Sequence, residues 1–154
     1  MKKIILIFLI FVLSCSKTND IIPPLHNYQY SLDELELLNE INIYRSSIGL
    51  NTLQENQQVS YICQTHNLYM IQTGTINHSY FQLRVDNLEK TIGAIRVGEN
   101  IAYNYTTPYS MLNAWLNSPP HKQNIEGNYT NFGVSITKGI NQKNYTTLIL
   151  VKIK

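Results

Sequence analysis

Three short segments gather the residue types that do acid–base and metal chemistry. They are Asn77-His78-Ser79-Tyr80-Phe81, Gly98-Glu99-Asn100-Ile101-Ala102 and Trp115-Leu116-Asn117-Ser118-Pro119-Pro120-His121. Two imidazoles and a carboxylate, His78, His121 and Glu99, suffice to hold a divalent ion such as Zn²⁺ with one position open. The same set can serve as general acid and base if its pKa values are pushed apart. A third arrangement is a buried polar network, in which these side chains bond loop amides and fix the walls of a cleft. No His-x-x-x-His spacing singles out the metal, so the three readings stay open. Asn100 and Ser118 complete the candidate cleft.

Nucleophiles are less well supported. Ser79 and Ser118 each lie near a histidine in sequence, but adjacency in sequence is not triad geometry. No Gly-x-Ser-x-Gly elbow is present. Ser118 fits better as the cap of a turn starting at Pro119. Cys63 sits among apolar helix positions and reads as inert core. His66, on the same helix, faces either the cleft or the core, and His26 needs no role. Tyr103, Tyr105 and Tyr109 cluster after the Gly-Glu-Asn loop, where they can line a ligand groove or form a contact surface.

The elements that must position these residues are legible in part. The chain has 154 residues, enough for one domain. Hydrophobic residues make up 44% and charged ones 14%, too apolar for a disordered chain. Ser31-Leu32-Asp33-Glu34 is a capping box, followed by Leu35, Leu38, Ile41 and Arg45 at helical spacing and Gly49 as a stop. This predicts a helix over residues 32–48. A second helix is expected over 54–72, with Val59, Ile62, Cys63, His66 and Met70 on one face and Gly74 at its end. A third is expected over 82–91. A fourth starts at Thr107-Pro108, carries Met111, Leu112 and Trp115, and stops at Pro119-Pro120. Residues 131–137 and 145–153, separated by Gly139-Ile140-Asn141-Gln142, read as an antiparallel hairpin. Helices first and strands last suggest α+β, with helices packed on a small antiparallel sheet.

The N-terminus has its own character. Lys2 and Lys3 precede an apolar run over residues 4–13, about half the length needed to span a ~30 Å hydrocarbon core. It reads as a signal segment. Val12-Leu13-Ser14-Cys15 follows and resembles a bacterial lipobox. That resemblance implies cleavage before Cys15, acyl groups on its sulfur and contact with a lipid bilayer. It also argues against glycosylation at the Asn-Tyr-Thr triplets that begin at Asn104, Asn128 and Asn144. The expected organisation is a signal peptide over 1–14, a lipidated Cys15 and flexible tether over 15–30, and a domain over 31–154. The formal charge of +2 offers no basic stripe, so no nucleic-acid partner is expected. Without Lys2 and Lys3 the ten remaining basic residues balance the ten acidic ones. With Cys15 acylated, Cys63 has no partner and the domain has no disulfide.

In this order and spacing the three segments resemble the CAP superfamily of cysteine-rich secretory, antigen 5 and pathogenesis-related-1 proteins, and its bacterial branch most closely. Leu38-Asn39 through Tyr44-Arg45, then Gly49-Leu50 and Leu53, looks like the family's opening. Tyr129-Thr130-Asn131-Phe132-Gly133-Val134 looks like its entry into the sheet. The resemblance covers residues 32–153 and implies an α-β-α sandwich. It carries a cleft histidine over to His78 and a cleft acid to Glu99. The positions of the family's second histidine and second acid hold Asn128 and Ser118, so His78, Glu99 and His121 replace the full tetrad. The expected product is a lipoprotein at the outer membrane or cell surface, acting as a binding or host-interaction module with an extracellular protein or lipid ligand. No cofactor is required for that role. The alternatives are a metal-dependent hydrolase or protease using His78, Glu99 and His121 with zinc, and a sterol or fatty-acid carrier.

Overall fold

The computed structural model describes residues 26–154, so the signal segment and Cys15 lie outside the described residues. Helix α1 (Leu32–Ser47) starts at the capping box: the Glu34 amide donates to Ser31 Oγ at 3.3 Å, and the Ser31 amide to the Glu34 carboxylate at 2.8 Å. Leu37, Leu38, Ile41 and Arg45 are buried, whereas Leu35, expected on the same face, is exposed.

The second helix begins later than expected. Gln54–Glu55 form β1, a short strand parallel to residues 131–132, and Asn56 caps α2 (Gln57–Thr73). All five expected core positions of α2 are buried, and Gly74 ends it in the left-handed region at φ 66°. Helix α3 spans Phe81–Ile92.

The main departure follows. The Gly-Glu-Asn segment, read as a loop, lies in the middle of a ten-residue strand, β2 (Ala94–Tyr103). A second departure concerns the prolines. Helix α4 (Pro108–Leu116) ends before them, and Pro119-Pro120 open a further helix, α5 (Pro119–Ile125). A proline lacks the amide that the first turn leaves unbonded anyway, so it starts a helix as readily as it stops one. The hairpin is as expected: β3 (Asn131–Lys138) and β4 (Asn144–Ile153) pair antiparallel.

The sheet order is β1-β3-β4-β2, antiparallel apart from β1. Successive residues of a strand point to opposite faces, and β4 feeds both. Leu148 and Leu150 pack with Leu37, Leu38 and Ile41 of α1, Met111 and Trp115 of α4 and Ile125 of α5. Ile149 and Val151 pack with Val59, Ile62 and Cys63 of α2 and Leu88 of α3. The fold is therefore α+β in composition and an α-β-α sandwich in layering. A sheet covered on both sides explains why residues 145–151 are buried without alternation. The only free cysteine among the described residues is the buried Cys63, and no disulfide joins these residues.

The tether expected over 15–30 is shorter at its domain end. The Tyr28 hydroxyl donates to Glu34 Oε1 at 2.6 Å and lies 2.9 Å from the Ser135 hydroxyl. Tyr30 accepts from Ser60 Oγ, and the His26 ring stacks on Tyr61 at 3.5 Å. Residues 26–30 thus belong to the folded domain. Three aromatic rings at alternate positions dock onto α2 and the base of α1, a spacing that carries no helical period.

Candidate functional site

Strand β2 is an edge strand, and its alternation decides which candidate residues can meet. Val97 and Ile101 face the α2/α3 layer, and Ala102 faces the α1/α4/α5 layer. Glu99 shares the first orientation and Asn100 the second. The two polar residues at the centre of the segment therefore serve opposite sides of the sheet. Gly98 precedes them because a Cβ there would collide with the Tyr129 hydroxyl and Asn124 Oδ1.

Glu99 is bound on its face by α3 and the loop before it. Arg84 Nε donates to Glu99 Oε2 at 2.7 Å and Arg84 Nη2 to Oε1 at 2.7 Å, a bidentate fork. His78 Nδ1 lies 2.8 Å from Oε1. An ionised carboxylate only accepts, so Nδ1 carries the proton. The Glu99 side chain is 2% exposed and that of Arg84 9%, whereas His78 is half-exposed at 52%. Burial raises the carboxyl pKa, but the hydrogen bonds from His78 and Arg84 and the guanidinium charge outweigh it, and Glu99 is held below its ordinary value.

The loop is fixed at several further points. Arg84 Nη1 donates to the Ser79 carbonyl at 2.8 Å. Asn77 Oδ1 accepts from the Ser79 amide at 2.9 Å, and the Asn77 carbonyl lies 2.9 Å from His66 Nε2. A carbonyl partner makes Nε2 the protonated nitrogen of His66. Burial and then the Arg84 charge lower the His66 pKa, so this ring is neutral. It is a structural donor.

On the other face, Asn100 Nδ2 donates to the His121 carbonyl at 3.0 Å, and Asn124 Nδ2 is shared between Asn100 Oδ1 at 2.9 Å and the Glu99 carbonyl at 3.0 Å. Trp115 Nε1 reaches the Ile101 carbonyl at 2.9 Å. Side chains of α4 and α5 thus occupy edge carbonyls of β2 that have no neighbouring strand. Arg45 anchors α5 in turn. It is fully buried and donates to the carbonyls of Ile125 at 2.5 Å and Gly127 at 3.0 Å.

His78, Glu99 and Asn124 line a hollow of about 290 Å³ together with Phe81, Val97 and Gly98. Ser118 is not among its lining residues and makes no side-chain cap bond at the start of α5. His121 is half-buried; burial and then the nearby His78 lower its pKa. The three-ligand set offered by the sequence does not form. Among the described residues no group of three His, Cys, Asp or Glu side chains is placed to hold a metal ion. Arg84 donates to both oxygens of Glu99, so a cation at that carboxylate would stand beside a guanidinium charge. Nor does any Ser, Thr, Tyr or Cys side chain among the described residues bond a histidine ring, and burial pushes the Cys63 thiol well up.

Arg84, Asn124 and Arg45 carry this site, and none was singled out for it from sequence. Arg84 sits fifteen positions from Glu99 on a short amphipathic helix, where a charge reads as solvated. Asn124 bonds the Glu99 carbonyl and the Asn100 side chain, partners more than twenty positions away that leave no spacing signal.

The family described as "CAP: Cysteine-rich secretory protein family" matches residues 38–151. A curated relative, the uncharacterized membrane protein YlbC of Bacillus subtilis, is 31% identical over 118 residues, covering 73% of this chain. This chain spans only 33% of that relative's length. An uncharacterized protein of Borreliella burgdorferi is 25% identical over 80% of this chain and 77% of its own. Among solved structures, an outer surface protein from Borrelia burgdorferi has a TM-score of 0.74 at 21% identity, covering 85% of this chain and all of its own. An extracellular protein of Bacillus anthracis containing an SCP domain has a TM-score of 0.68 at 26% identity, covering 78% of this chain and 40% of its own.

The Glu99 clamp makes stability depend on pH in one direction. A carboxyl held below its ordinary value stabilises the fold above the usual carboxylate range and loses that contribution as pH falls through its lowered folded value. Glu99→Gln removes the contribution and leaves the Arg84 charge buried without its partner. At pH 7 the variant should be less stable than wild type by about 3–5 kcal/mol. Urea unfolding repeated at pH 3 should show a narrower gap; an unchanged gap would mean that the Glu99 charge plays no part.

Proposed function

The chain belongs to the cysteine-rich secretory protein (CAP) family, and from that premise we propose that it is a CAP domain displayed outside the cytoplasm on an acylated Cys15, acting as a binding or host-interaction module without turnover. The observation that carries the second half is the Arg84 fork on Glu99. A general base works best with a pKa near the working pH. Glu99 accepts from Arg84 at both oxygens and has a pKa shifted down. A catalytic zinc needs an open position, and the guanidinium charge beside Glu99 opposes a cation at that carboxylate. His78 is left as a half-exposed imidazole beside a neutralised carboxylate, suited to contacting a ligand.

The first half rests on the residues before the domain. Lys2, Lys3, the apolar run and Cys15 fit an exported and acylated N-terminus. Among the described residues no helix is long and apolar enough to cross a membrane. The names of two relatives, an outer surface protein and a membrane protein, are compatible with display at a surface.

Each half has its own measurement. Titration calorimetry with zinc on the purified chain should show no stoichiometric binding at micromolar ion. A one-to-one isotherm abolished by both His78→Ala and His121→Ala would restore the hydrolase reading. Cells fed radiolabelled palmitate should label the wild-type chain and leave Cys15→Ser unlabelled, with the variant moving from the membrane to the soluble fraction. Equal labelling of both chains would remove Cys15 as the anchor.

A further inference from the structure

The start of strand β2 carries a charge that the fold leaves unbalanced. Arg96 stands directly opposite Lys152 of β4 in the antiparallel pair. Side chains so placed share one face of the sheet with Cβ atoms about 5 Å apart, and like charges there destabilise the pair. A register shift between Ala94 and Arg96 precedes them, the device by which a strand re-aims a side chain. Three ion pairs form among the described residues, and neither Arg96 nor Lys152 belongs to one. Arg96 is exposed and lies over the Tyr129 ring, 5.2 Å from its centroid, a contact that spends none of its N–H donors.

Both charges border a hollow of about 630 Å³ beside α5, with Arg96 in its wall and Lys152 at its edge. Lys152 Nζ donates to Oδ1 of Asn128, a lining residue, at 2.8 Å. Lys122 of α5 adds a third cation. Its Nζ is 3.8 Å from Glu126 Oε1, an oxygen that already accepts from the Tyr44 hydroxyl at 2.6 Å. Three cations thus face one carboxylate, a surplus of two positive charges.

That surplus selects the ligand. A carboxylate or a phosphodiester brings one negative charge and leaves half of the surplus unmet. A phosphate monoester brings about −1.5 to −2 at pH 7 and three acceptor oxygens, and a guanidinium can fork two of them. The hollow is larger than a phosphate group needs, and the rest of its wall is rich in amides. Asn128, with Oδ1 spent on Lys152, has its NH₂ to offer. Asn117, with its NH₂ spent on Asn113, has its oxygen to offer. A hydroxyl both donates and accepts, so a carrier with several hydroxyls matches this wall.

We infer that the hollow between α5 and the Arg96/Lys152 pair binds the phosphate monoester of a small polyol, a sugar phosphate in kind. The phosphate sits among Arg96, Lys122 and Lys152, and the hydroxyls face Asn117 and Gln123. The site shares no lining residue with the hollow beside Glu99. It does not depend on the anchor at Cys15.

The test is amide-resolved NMR titration of the purified chain with glucose 6-phosphate, glucose and inorganic phosphate. Glucose 6-phosphate should bind saturably, with shifts confined to residues around 95–98, 116–128 and 151–153. Inorganic phosphate should bind at the same residues more weakly, and glucose should give no saturable shifts at the same concentrations. Arg96→Met and Lys152→Met should each weaken glucose 6-phosphate at least about tenfold, the loss expected for a hydrogen bond to a charged group. Amide spectra unchanged away from the hollow show that both variants are folded. Lys90→Met, on α3 across the sheet, should bind as wild type does. Absence of saturable shifts, shifts elsewhere, equal affinity for glucose and glucose 6-phosphate, or undiminished affinity in the Arg96 and Lys152 variants would overturn the inference. Inorganic phosphate binding as tightly as glucose 6-phosphate would remove the polyol. So would sedimentation with phosphatidic acid vesicles, beyond that with phosphatidylcholine alone, by a chain that ignores glucose 6-phosphate. None of these results bears on the zinc or palmitate experiments.

Discussion

A carboxylate enclosed at the edge of a sheet is the constraint on which the candidate site depends. Glu99 lies on β2 where both faces of the sheet are covered by helices, and its side chain is almost without solvent. An ionised group in that position loses several kcal/mol of hydration, which is tolerable only when a partner charge and hydrogen bonds replace the water. Arg84 supplies both through its two-point fork, and His78 supplies a further proton. Because Arg84 comes from α3 and His78 from the loop before it, satisfying one carboxylate fixes a helix and a loop against the strand. The same interaction balances the carboxylate's charge within the site and holds its pKa down.

The opposite face of the strand is organised by amides. Asn100, one residue on, points the other way and holds the start of α5 through the His121 carbonyl. Asn124 and Trp115 take outward carbonyls of β2, which keeps an edge strand from offering bare acceptors to another chain. Arg45, buried in α1, in turn holds the end of α5. Side-chain hydrogen bonds therefore link α1 to the end of α5 and α5 to β2. His78 stands beside Glu99, and His121 bonds Asn100 through its carbonyl while its ring lies close enough to His78 for that neighbour to lower its pKa.

What was legible in the sequence was whatever local periodicity or capping chemistry determines. The capping box at Ser31, the helix start at Thr107-Pro108, the buried face of α2 and the terminal hairpin all rest on neighbours within a few residues. The three segments pointed to the fold because their order is fixed by it. What escaped was set by partners distant along the chain. The Gly-Glu-Asn segment read as a loop because Gly98, Glu99 and Asn100 are poor strand formers in isolation; they are tolerated because Tyr129, Arg84, Asn124 and His121 complete them. The prolines after Ser118 read as a stop because the amide they lack is missed only inside a helix. Tyr28 read as tether because its partners, Glu34 and Ser135, come from α1 and β3.

If Glu99 is a structural charge held by Arg84, the two side chains must be energetically coupled. A double-mutant cycle at pH 7 with Arg84→Met, Glu99→Gln and the combination, read by urea unfolding, measures that coupling directly. The expected result is a coupling energy of at least about 2 kcal/mol, with the double variant more stable than one or both single variants, because neither buried charge is left alone. Additivity to within about 0.5 kcal/mol would contradict the clamp and reopen Glu99 as a group available for chemistry.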